Sequence, residues 1–145
     1  MLAACYDFHA DVRTLRSVPT TIGTAIYRIV PDSPLRGIGP ATELCLTLPK
    51  SYKRIEPDTN QLDYALIARP DGGHVSIKVA LIAPDGTVDS LPTNGFMYDG
   101  DQHACYMKWV TRDLSRRYQR IEIRATDTLT VTRIVWRSEE RYAWL

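Results

Sequence analysis

The chain has no long hydrophobic run. A helix needs about 20 consecutive apolar residues to span a bilayer, and none of the 145 positions opens such a stretch. Helical periodicity is missing as well: no segment keeps apolar residues at i, i+3 and i+4 over about twelve positions, which argues against a helical bundle. Histidine is scarce. The three present, His9, His74 and His103, do not have the spacing of an HExxH zinc pair. Neither a P-loop nor a G-x-G-x-x-G nor a G-x-S-x-G elbow occurs, so nucleotide binding and serine-hydrolase chemistry have no anchor. Charge of one sign is lacking too. Eighteen Lys and Arg against seventeen Asp and Glu leave a net charge of +1 and no electrostatic reason to expect nucleic acid.

What is present is strand patterning. Leu44, Leu46 and Leu48 alternate inward, and so do Val75, Ile77, Val79 and Leu81, then Ile121 and Ile123, then Val131. Leu62, Tyr64, Leu66 and Ala68 read as the inward side of a strand that hairpins through Asp71-Gly72-Gly73 into the next. The apolar phase slips between Val131 and Ile134, which predicts a β-bulge near Thr132-Arg133. Short strands at spacings of about ten residues predict an all-β fold. Strands with one buried face each must pack as two sheets. The expectation is a two-sheet antiparallel β-sandwich of about seven to nine strands, jelly-roll or immunoglobulin-like. Residues 1–20 read as an N-terminal tether or extension and 20–145 as a single domain.

Three cysteines occur, Cys5, Cys45 and Cys105. Cys45 and Cys105 are a candidate disulfide, but strand phase argues against it. Cys45 shares a face with Glu43 and Thr47, whereas Cys105 reads as inward with Met107 and Trp109. Trp109 and Trp136 are expected in the core.

Two loops stand out. Residues 31–40 carry three prolines and two glycines and read as a stiff surface loop. Residues 94–103 read as a second loop in which Phe96, Met97 and Tyr98 lie beside Asp99 and Asp101. An apolar anchor with a polar rim is the composition of an interface hot spot. Trp144 in the C-terminal tail is a further candidate anchor. Asp99 and Asp101 lack the remaining positions of a calcium loop, so no metal and no cofactor is assigned. The arginines at 112–117 could offer guanidinium forks to phosphate or carboxylate, but a solvated turn is the preferred account of them.

Leu2-Ala3-Ala4-Cys5 resembles the lipobox of bacterial lipoproteins, in which a Leu and two small residues precede a Cys whose thiol takes a diacylglycerol. Such signals also carry a basic segment and an apolar segment of about 7–15 residues, and only four residues precede Cys5 here. A start placed at an internal Met, or a trimmed sequence, accounts for that difference. The resemblance implies that residues 1–4 are removed and that lipid on Cys5 is the sole membrane attachment. The chain would then face the periplasm, on the outer membrane because Tyr6 is not Asp. A chance match would leave it cytoplasmic. Lipoproteins of this size are often secretion-system accessory factors or immunity proteins that block a toxin. The function implied is therefore non-catalytic binding of another protein.

The closing stretch RIEIRATDTLTVTRIVWRS resembles the last strands of jelly-roll carbohydrate-binding domains, which implies carbohydrate as an alternative ligand. A small enzyme assembled from distant residues, with His74, His103 and Asp101 as its candidates, is the second alternative. No catalytic residue is assigned.

Overall fold

The alternation in His74–Ile82 becomes the central strand of a sheet, with Val75, Ile77, Val79 and Leu81 buried and His74 and Lys78 exposed. The computed structural model describes residues 10–38, 41–55, 66–91, 96–98, 102–109 and 116–139, with the backbone alone at 41, 54, 55, 66, 96–98 and 107–109. Every regular element among them is a strand. In chain order these are β1 (Ala10–Arg16), β2 (Thr20–Ile22), β3 (Tyr27–Ile29), β4 (Leu35–Arg36) and β5 (Ala41–Thr47). Then come β6 (Lys53–Ile55), β7 (Leu66–Ala68), β8 (His74–Ile82), β9 (Val88–Leu91) and β10 (Phe96–Tyr98). The last five are β11 (His103–Trp109), β12 (Arg117–Tyr118), β13 (Arg120–Ala125), β14 (Leu129–Val131) and β15 (Arg133–Glu139).

The molecule is an antiparallel β-sandwich. One sheet runs β1-β15-β5-β11-β10, and the other runs β3-β13-β8-β7-β6 with β9 also paired to β8. β7 pairs with the first part of β8 and β9 with the last part. Two short pairs, β12-β4 and β14-β2, complete the described pairing. The inner faces share one core. Leu44, Leu46, Tyr106, Ile134 and Trp136 of the first sheet meet Val75, Ile77, Val79, Leu81, Ile121 and Ile123 of the second. Leu48, Leu129 and Val131 are buried with them.

Several expectations change. The tether does not extend to residue 20, because Ala10–Arg16 pairs with β15 as the edge of a sheet. The slip between Val131 and Ile134 is a change of sheet: β14 pairs with β2, while β15 pairs with β1 and β5. In β7 it is Ile67 that is buried, and Ala68 is only partly so. The hairpin after it holds, turning through Gly72 at φ +89°.

Residues 31–38 do not form a free loop. Leu35 and Ile38 are fully buried, and β4 pairs Arg36 with Arg117 and Leu35 with Tyr118. The Arg13 guanidinium donates to the carbonyls of Ser33 and Pro34, at 2.8 and 2.9 Å. The Arg36 amide donates to Asp11 Oδ2 at 2.8 Å. The prolines mark the breaks correctly, but the segment is an inward-packed cover.

Candidate binding surface

The outer face of the five-stranded sheet is built by cross-strand register. β5 and β11 set Cys45 opposite Cys105, Glu43 opposite Met107 and Thr47 opposite His103. On the other side of β5, Val135 lies opposite Cys45 and Arg137 opposite Glu43. Among the described residues β10 is the last strand on this side of the sheet, with Phe96 opposite Cys105, Met97 opposite Ala104 and Tyr98 opposite His103.

Cys45 and Cys105 are joined in a disulfide, with Cα atoms 4.0 Å apart. The phase argument against this bond fails because Ala104 and Tyr106 are the β11 side chains that join the core cluster, which leaves Cys105 on the opposite face, across from Cys45. Both cysteines therefore lie on the face away from the core, directly opposed. Trp136 is fully buried as expected; Trp109 pairs with Ala41 at the end of β11, and its side chain lies outside the described residues.

Glu43 is buried beside this bond, with Arg137 Nη1 3.8 Å from its carboxylate. Arg137 also approaches Glu139, Nε to Oε1 at 3.6 Å. Glu43, Cys45 and Cys105 form a group of three potential metal-ligating side chains among the described residues. Sulfurs bonded to each other offer no thiolate, so in this state the group is not a thiolate metal site.

A second polar cluster went unforeseen. Asp89 Oδ2 accepts from the Tyr118 hydroxyl at 2.7 Å, from Arg116 Nε at 3.0 Å, and from Arg116 Nη2. Burial, together with the bond to Asp89, pushes the Tyr118 hydroxyl up to about 12. The Asp89 and Tyr118 partners raise the already basic Arg116 further. Each group here has a charged or hydrogen-bonded partner, so the cluster ties β9 to β12 rather than holding a free base. It also places Arg116 of the 112–117 cluster against protein. Twenty-seven residues separate Asp89 from Arg116, and no local pattern links them.

The other candidates fall as follows. Phe96, Met97 and Tyr98 form a strand, not a loop, and this strand is the outermost of its sheet among the described residues. Cys5, His9, Asp99, Asp101 and Trp144 lie outside the described residues. His74 opens β8 of one sheet and His103 opens β11 of the other.

No protein-family model and no curated protein matches the chain. Among solved structures it is similar to that of the infectious bursal disease virus Gx strain, at a TM-score of 0.37 and 9% identity over 95% of this chain and 33% of that one. It is also similar to the VP2 subviral particle of infectious bursal disease virus, at a TM-score of 0.29 and 12% identity over 92% of this chain and 30% of that one. The chain thus spans about a third of the length of these solved chains.

Proposed function

We propose that this β-sandwich is a non-catalytic binding domain of the bacterial envelope, anchored by lipid on Cys5, that engages a protein partner along β10. The observation that carries this reading is the Cys45–Cys105 disulfide. Such bonds persist in oxidising compartments such as the periplasm and are rare in the cytosol. With two of three cysteines bonded to each other, Cys5 is the one left for lipid.

Among the described residues β10 is the outermost strand of its sheet, and this position supports the binding surface. An edge strand presents unpaired backbone groups, and an extended partner segment adds to it by the same hydrogen bonds that build a sheet. Phe96, Met97 and Tyr98 are the residues of β10 assigned to recognition, and Asp99, Asp101 and Trp144 are candidates by their residue type alone. Secretion-system accessory factors and toxin-immunity proteins are the classes this arrangement serves.

Two measurements test the reading. Cells expressing the full reading frame are labelled with palmitate, in wild type and in Cys5→Ala. Label confined to wild type is expected, and equal label in both overturns the anchor. A photocrosslinking residue at position 97 tests the partner. A discrete protein adduct is expected, weakened in Phe96→Ala/Tyr98→Ala by about 2 kcal/mol of affinity or more with unfolding unchanged. No adduct, or one indifferent to the two substitutions, overturns the binding surface.

A further inference from the structure

The outer face of the six-stranded sheet carries a groove of about 490 Å³, lined by Ile26, Lys78, Ala80, Ser90 and Arg124 among others. Its depth follows from side-chain size. Ala80 and Ser90 are directly opposed on β8 and β9, and both are short, while the neighbouring pair on β8 and β13, Lys78 and Arg124, is long. Small ligands occupy cavities of roughly 300–1,000 Å³, and this groove falls in that range.

Its electrostatics are unbalanced. Lys78 and Arg124 are exposed and stand directly across the strand pair from each other. Like charges at opposed positions of a sheet are destabilising. Neither makes an ion pair or side-chain hydrogen bond among the described residues. The nearby carboxylate that lines the groove, Glu122, is already held by Arg28 Nε at 3.1 Å and Arg120 Nε at 3.0 Å. Two cations without a counter-charge among the described residues thus border a groove whose apolar side chain is Ile26, since Val79, Leu91 and Ile123 turn into the core and border it only through their backbone. Ile26 is 41% exposed there.

From this arrangement we infer that the groove binds a small molecule with an oxyanion head group and an apolar body. The head group lies between Lys78 Nζ and the Arg124 guanidinium, where it supplies the missing counter-charge and accepts charge-assisted hydrogen bonds. The body lies toward Ile26 over the small floor of Ala80 and Ser90. This surface belongs to the other sheet from β10, and the inference does not rest on the function proposed above.

Octanoate, octyl phosphate and neutral octanamide, titrated into isotopically labelled full chain, test it by amide chemical shifts. The two anions should shift Ala80, Ser90, Leu91 and Arg124, and octanamide should bind about tenfold more weakly or worse. Octyl phosphate tighter than octanoate assigns the head group to phosphate, and the reverse assigns it to carboxylate. Lys78→Gln/Arg124→Gln should weaken both anions by about tenfold or more without lowering the unfolding midpoint, because it removes a like-charge pair. Equal binding of octanamide, unchanged binding to the double variant, or shifts centred elsewhere would each overturn the inference.

Discussion

Cys45 and Cys105 occupy opposed positions of β5 and β11 and are bonded across the outer face of the five-stranded sheet. The bond closes a loop between residues 60 apart in sequence and so restricts the unfolded chain far more than a local staple does. Replacing both cysteines by alanine should therefore cost about 2–4 kcal/mol in urea unfolding. Dithiothreitol should have the same effect on wild type and none on the double variant. A wild type indifferent to reductant would show that the bond contributes nothing to stability.

Trp136 gives a second expectation. Its ring is fully buried and meets the Tyr118 ring edge-on, with centroids 6.0 Å apart. β15 lies between β1 and β5, so the cavity left by truncation cannot be filled by moving an edge strand. Trp136→Ala should lose about 3–5 kcal/mol of stability, and Trp136→Phe less. A loss below about 1 kcal/mol for the alanine variant would mean that this part of the core collapses freely.

Period-two patterning was the part of this fold that could be read in advance. Leu44, Leu46, Ile77, Val79, Leu81, Ile121 and Ile123 are buried where alternation puts them. β11 misled because it is apolar on both faces: Ala104 and Tyr106 turn inward while Cys105 pairs with Cys45. Residues 31–38 misled for a different reason. Prolines report a break in regular structure, but whether the segment packs inward is decided by Arg13, Asp11 and Ser138, from 20 to 100 positions away. The groove at Lys78 and Arg124 was equally invisible, since only the register of β8 against β13 makes those two cations neighbours.

Tyr118 makes stability depend on pH at the alkaline end. Burial is the first cause that raises its hydroxyl from 10.0 to about 12, and the hydrogen bond to Asp89 is the second. The folded state thus keeps a proton that the unfolded state gives up. Its contribution is complete below about 10 and is lost as pH rises toward about 12. The urea midpoint of wild type should fall across that window, and Tyr118→Phe should flatten this part of the fall. Identical profiles for the two proteins would remove Tyr118 as the cause.

Gly72 and Gly86 both sit at φ +89°, and a Cβ at either would touch nothing within 4 Å. The cost of alanine there is therefore conformational alone. Gly72→Ala and Gly86→Ala should each cost about 1–2 kcal/mol. The same loss in both turns would separate backbone strain from steric contact, whereas a neutral Gly72→Ala would place the hairpin in another turn geometry.

Ser138 offers the sharpest local test, because its hydroxyl is saturated. Its oxygen accepts the Ile38 amide at 2.7 Å, and its proton is donated to the Ile38 carbonyl at 2.9 Å. A hydroxyl has one proton to give, so the 2.8 Å contact with Thr42 must be a donation from Thr42 Oγ1 to Ser138 Oγ. All three residues are buried. Ser138→Ala therefore leaves both backbone groups of Ile38 and the Thr42 proton without that partner, away from water. The expected loss is about 1–3 kcal/mol, more than a surface hydroxyl would give. It should be accompanied by faster hydrogen exchange at Ile38 than at Leu44 or Ile121, since the fastening of residues 35–38 is released while the sheets stay paired. Thr42→Val with Ser138→Ala should cost little beyond Ser138→Ala alone, because the second substitution removes an already orphaned donor. Additive losses would show instead that Thr42 has another partner and that Ser138 is not the centre of this contact.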